Sequence, residues 1–179
     1  MNNWLRFSTG FCAVTVWVVM LVLPVQAGDI SKGQAAEFIL ATAKAARTVY
    51  VQDIISNAKK GGVKPNEDWA KADHSVMLPA QFVKAVGSKV KGFELGLVGT
   101  DPLYPTNSPK TDAEKKALKE LASGKKDVVT FEDGGQTIGM SADFAIVDGC
   151  ADCHNQHPKT TKKDWKKGDF MGAIVVRMK

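Results

Sequence analysis

The stretch DVVTFEDGGQTIGMSADFAIVDGCADCH, Asp127 to His154, carries the clearest fold signal in the chain. Two runs with strand character, Asp127–Asp133 and Gln136–Val147, flank Gly134-Gly135. Paired glycines between two such runs read as a tight hairpin turn, so the strands are expected to be antiparallel. A third apolar run, FMGAIVVRM (170–178), reads as a buried strand.

Upstream of these strands the pattern is helical. In SKGQAAEFILATAKAARTVYVQDIISNAKKGG, Ser31 and Gln34 fit a capping box. Ala35, Phe38, Ile39, Thr42, Ala46, Val49 and Ile54 recur at helical spacing, and Gly61-Gly62 gives a stop. VKPNEDWAKADHSVM reads as irregular. LPAQFVKAVGSKV reads as a shorter helix, with Pro79 in its first turn and Phe82, Val83, Val86 and Val90 on one face. GFELGLVG alternates weakly, like a strand. TDPLYPTNSP carries three prolines and is expected to be an ordered loop. TDAEKKALKELASG is a third helix, with Thr111 and Glu114 as a second capping box and Gly124 as its stop. Helices first and an antiparallel set of strands last make an α+β domain with one small sheet.

Residues 1–27 have a different character. Arg6 precedes an apolar run from Phe11 to Leu23, Pro24 breaks it, and Val25-Gln26-Ala27 offers a small-residue cleavage site. This is the layout of a secretory signal peptide, with cleavage expected after Ala27. The run is shorter than the roughly 20 residues of a spanning helix; the alternative is an uncleaved anchor starting near Phe7. Cys12 has no small-residue lipobox around it, which argues against a lipoprotein. The expected mature chain, 28–179, has the size of one domain, holds no further spanning segment, and belongs in the periplasm.

Removing Arg6 takes the net charge from +5 to +4. That balance is mild, the bases are mostly lysines, and aromatics do not alternate with them. A nucleic-acid partner is therefore not expected.

The mature cysteines are Cys150 and Cys153, followed directly by His154. Cys-x-x-Cys-His is the attachment pattern of a c-type haem. Two intervening residues let both thiols reach the two vinyl groups on one porphyrin edge. The adjacent imidazole then serves as the proximal iron ligand. We assign Cys150 and Cys153 to the two thioethers of a single covalent haem c and His154 to the iron. A thioredoxin-like pair would start a helix in a βαβ setting, whereas here Gly149 precedes the pair and a polar loop follows. Zinc would need His157 as a fourth ligand and two sequence neighbours on one tetrahedral ion. His157 lies three residues after the proximal histidine and reads as a loop residue.

For the sixth position the residues leave several candidates: His74, Met77 and Met140, or no protein ligand at all, which would leave room for a diatomic gas. The lysines of PKTTKKDWKKGDF form a solvated face or steer an acidic redox partner. Trp165 reads as a packing residue. Asp143 and Glu132 read as surface or turn residues, so no acid–base pair for an enzyme is evident.

The segments LPAQFV, LVGTDPLYPTNSPKTDAEKKAL, CADCHNQHP and DWKKGDFMGAIVV, in that order, resemble the PAS-like c-haem family of cyanobacterial soluble proteins and periplasmic sensor regions. The likeness spans roughly residues 30–178. The proline-asparagine loop and the W-x-x-G-D-x-x-G ending are its most specific parts. The resemblance implies a PAS-like antiparallel sheet flanked by helices, with haem held against it. It also implies a role in redox or small-ligand sensing or in electron transfer. Some members place a cysteine of the first long helix on the iron. This chain has no cysteine there, and Tyr50 stands near that place, which adds a phenolate to the candidate ligands. The functions in view are a small electron carrier or redox sensor, a gas sensor, and, third, a small haem enzyme.

Overall fold

The computed structural model describes residues 28–179; the signal-peptide reading of 1–27 lies outside them. Helix α1 spans Lys32–Val49, and the Ser31–Gln34 capping box forms as expected. The chain then makes one π turn, Tyr50–Ile55, before finishing as the short helix α2, Ser56–Lys60. The observed burial corrects the helical face read from the sequence. Phe38, Val49 and Ile54 are exposed, while Ala36, Leu40, Arg47, Tyr50, Val51 and Ile55 are buried. A single i→i+5 turn rotates everything after it, so Tyr50, Val51 and Ile55 face inward together.

The irregular segment that follows is pinned by a two-residue parallel pair, β1 (Lys64–Pro65) with β2 (Ser75–Val76). Helix α3 (Pro79–Gly87) starts on its proline, and the Gln81 side chain accepts from the Leu78 N–H at 2.9 Å. Val83 is its buried residue, whereas Val86, placed on the same face by its spacing, is exposed. Strand β3 (Phe93–Val98) leads into the proline loop, which is ordered by a 3₁₀ turn at Pro105–Asn107. Helix α4 (Asp112–Ala122) begins at Thr111, whose hydroxyl accepts from the Glu114 N–H. The expected capping box is only half made. The Glu114 carboxylate is fully buried and accepts instead from the Lys110 N–H and the Arg177 Nε, both at 2.6 Å. A buried cation is a stronger partner for a buried carboxylate than a neutral cap N–H.

Strands β4 (Val128–Asp133) and β5 (Gln136–Phe144) form the expected hairpin. Both turn glycines, Gly134 and Gly135, have positive φ, as a type I′ turn demands. Helix α5 (Asp148–Gln156) follows, and β6 (Phe170–Met178) closes the sheet. The four strands run antiparallel in the order β3-β6-β5-β4. The α+β reading thus holds, with a four-stranded sheet.

The central strand β6 feeds two cores by alternation. Ala173 and Val175 pack with Leu118 and Leu121 of α4. Ile174, Val176 and Met178 pack with Ala36 and Leu40 of α1 and Val83 of α3. The sheet is thus sandwiched between α4 on one face and α1 with α3 on the other. Gly139 of β5 lets α1 lie close: a Cβ there would stand 2.9 Å from Ala36 Cβ and 3.0 Å from Leu40 Cδ1.

Candidate functional site

A groove of about 1380 Å³, measured out to its open mouth, runs between the second half of the α1–α2 segment, α5 and the strand ends at Val98, Asp143 and Met171. One wall is a stripe at four-residue spacing, Arg47, Val51, Ile55 and Lys59. The opposite wall is α5 with Cys150, Cys153 and His154. Leu97, Ala173 and Leu103 add apolar lining.

The CADCH segment lies in helix α5, where the sequence offered a glycine and a polar loop. Val147 provides no side-chain cap, and only Ala151 of the helix is buried. Ala151 is its anchor, and Asp148 in the first turn is favoured by the helix dipole. The motif therefore does open a helix after a strand, although within an antiparallel sheet and not a βαβ unit. Cys150 and Cys153 are free thiols. Burial of its sulfur environment, with the charge of Glu67 and the Cys150 thiol, pushes the Cys153 pKa up. Catalytic dithiols need the reverse, a thiol made acidic by its surroundings.

His154 is partly buried, and desolvation, helped by His157, lowers its pKa, which favours the neutral imidazole. Its Nδ1 is buried without a hydrogen-bond partner. Trp165 packs edge-on to it, with ring centroids 5.8 Å apart, and the Trp165 Nε1 is likewise buried and unpartnered. The Asn155 side chain clamps this tryptophan's backbone, accepting from the main-chain N–H at 2.8 Å and donating to the main-chain carbonyl at 3.0 Å. Lys162 stands over the indole, 4.1 Å from the ring centroid.

The W-x-x-G-D-x-x-G ending now has a physical account. Gly168 turns with φ +93°, and Asp169 accepts from the Lys166 N–H and the Lys162 Nζ. At Gly172, φ is +139° and a Cβ would meet the Val98 carbonyl oxygen. The register between β5 and β6 skips Met171, since Asp143 pairs with Gly172 and Phe144 with Phe170. Such a bulge re-aims a side chain, and Met171 lines the groove.

The sequence candidates separate cleanly. Cys150, Cys153 and His154 line the groove together; Tyr50, His74, Met77 and Met140 do not. The Tyr50 hydroxyl donates to the Met77 carbonyl at 2.8 Å, and its ring stacks on Phe82 at 4.4 Å. Met140 is fully buried in the core under α4, and His74 is exposed on the loop before β2. His157 is engaged at both nitrogens: Nε2 lies 3.2 Å from Glu67 Oε1, and Nδ1 accepts from the Lys159 N–H. Among the described residues no group of three or more histidine, cysteine or acidic side chains is placed to hold a metal ion, so the zinc alternative lacks its ligand set.

Four groove residues had no signal at the sequence level. Arg47 and Asp143 form a buried ion pair at 3.0 Å, which corrects the surface reading of Asp143. Burial raises the Asp143 pKa and outweighs the attraction of Arg47 and Lys44. Glu132, by contrast, is an exposed strand residue that accepts from the Thr137 hydroxyl. Lys59 and Met171 complete the set, both brought in by tertiary geometry.

A family model described as Tll0287-like matches residues 29–179, almost the whole described chain. The chain belongs to the Tll0287-like family. The resemblance carried by the proline loop and the glycine-rich ending is therefore borne out at the level of the family. Among solved structures, the crystal structure of the cyanobacterial heme-protein Tll0287 superposes with a TM-score of 0.53 at 16% identity. The alignment covers 79% of this chain and 93% of that one. At that identity the likeness speaks for a shared Tll0287-like fold. No curated protein sequence matches the chain.

Proposed function

We propose that this protein is an exported, periplasmic mono-haem c-type cytochrome working in electron transfer or redox sensing. The observation that carries the reading is that Cys150, Cys153 and His154 share one helix and line one apolar groove. The residues fit the group. The thiols have the two-residue spacing that two vinyl additions need. Desolvation favours the neutral imidazole, the form that binds iron. Iron in a porphyrin supplies a one-electron couple.

The chain's own residues give that couple a setting. Cys150 and Cys153 would anchor the group covalently, and His154 would hold the iron, with Trp165 fixing the plane of its ring. Lys59 supplies positive charge along the facing wall, suited to a propionate, while Arg47 is held by Asp143. The exposed lysines 163, 166 and 167 beside the groove suit an acidic redox partner. Membership of a family that includes a structurally characterised heme-protein supports the same reading.

One observation favours a second reading, the binding of a diatomic gas. None of Tyr50, His74, Met77 or Met140 lines the groove, and the wall facing α5 offers Val51 and Ile55. An optical spectrum decides between the two. A six-coordinate, low-spin reduced form unchanged by carbon monoxide supports electron transfer or redox sensing. A shift of the Soret band on adding the gas supports gas binding instead. An enzyme would in addition turn over peroxide or hydroxylamine.

A further inference from the structure

Among the described residues three acids line the groove, Glu67, Asp101 and Asp143. Glu67 and Asp101 are exposed, so water and salt screen them. Asp143 is different: its side chain is 13% exposed, and its Oδ1 lies 3.0 Å from Nη1 of Arg47, itself buried. The charged groups that face it are Arg47 and Lys44, both from α1, and Lys44 Nζ stands 6.0 Å from the centroid of the Phe144 ring. The strands beside it present Gly172 across the ladder and Phe144 along it, neither of them charged. Burial raises the proton affinity of this carboxyl more than the two cations lower it. A buried acid on the wall of a groove responds strongly to any change of charge inside that groove.

We propose that Asp143 couples electron uptake in the groove to proton uptake: as one electron enters, one proton from water joins its carboxylate. The inference rests on a haem filling the groove. The electron comes from a protein donor and takes the iron from ferric to ferrous. The proton forms one new O–H bond on Asp143, and Arg47 keeps its charge throughout. Reoxidation returns the electron to a protein acceptor and the proton to water. The cause is electrostatic, because the ferric centre carries one positive charge more than the ferrous one. Losing that charge leaves the carboxylate less stabilised, so its hold on a proton tightens. At an effective dielectric of about 20, one charge about 10 Å away changes a proton equilibrium by roughly tenfold. By linkage, the reduction potential falls as pH rises between the proton affinities of the two redox states. Asp143 acts through its field and not as a ligand, so the coupling holds whether or not the sixth position is filled.

Spectroelectrochemical titration of the haem-loaded full chain between pH 5 and 8 tests the proposal. The parent's potential should fall as pH rises. The limit is a tenfold change in the reduction equilibrium per pH unit, about 59 mV for a one-electron couple. Asp143→Asn should lessen that slope. A second measurement needs no variant: the reduced-minus-oxidised infrared spectrum of the parent. It should gain a protonated-carboxyl band on reduction, and the band should move when aspartates are isotopically labelled at the carboxyl carbon. A haem protein with a flat profile, a slope unchanged in Asp143→Asn, or a spectrum without that aspartate band overturns the proposal and leaves the haem reading standing. A chain that shows no haem absorption after export and maturation overturns both.

Discussion

Asp143 shows at the scale of one residue how much the groove depends on long-range placement. In sequence it follows Ser-Ala near a strand end; in the fold it is buried against Arg47, nearly a hundred residues earlier. Its raised pKa has a definite consequence. A carboxyl whose folded pKa lies above its unfolded value of about 3.9 stabilises the fold fully only below that value. The contribution is lost as pH rises through the folded pKa. Asp143→Asn removes this dependence while keeping an acceptor for Arg47. Urea midpoints of parent and variant between pH 4 and 7 should diverge, with the variant gaining relative to the parent as pH rises. A constant difference would show that Asp143 titrates in the native state as it does in the unfolded chain.

Elements were legible where local chemistry sets them. Gly134-Gly135 could be read because a two-residue hairpin needs positive φ at both positions. Ser31 and Gln34 could be read because their box closes within one turn. The face of α1 could not, because its inner stripe of Ala36, Leu40 and Arg47 is no more apolar than the outer one with Phe38 and Val49, and the π turn at Tyr50–Ile55 shifts the period for the residues that follow. Helix α5 was hidden because Gly149 and its polar neighbours carry little helix propensity. Glu114 was assigned to a cap because its partner Arg177 lies 63 residues away. The seat of α1 on the sheet is likewise tertiary, and Gly139 tests it. Gly139→Ala puts a methyl group into contacts of 2.9 and 3.0 Å with two core side chains. Urea unfolding should show a loss of about 1–3 kcal/mol, the usual cost of overpacking. An unchanged or raised midpoint would mean that α1 stands further from β5 than described.

At the scale of the molecule, the chemistry of the motif was legible and its surroundings were not. Cys150, Cys153 and His154 lie within five residues of one another, so their mutual geometry is set locally. The rest of the groove is assembled from the α1–α2 segment, β5 and β6, which lie far apart along the chain. Accordingly, His74, Met77 and Met140 follow from residue type and Tyr50 from the resemblance, and the groove is lined by others, Lys59 and Met171 among them. The account as a whole rests on covalent attachment at the α5 thiols, and intact mass spectrometry under denaturing conditions addresses it most directly. Protein made in cells with a working c-haem maturation system should weigh one haem more than its processed polypeptide. Cys150→Ala/Cys153→Ala, made alongside, should weigh no more than its own polypeptide. A parent protein at the bare polypeptide mass, or a double variant that still carries the added mass, would contradict the account.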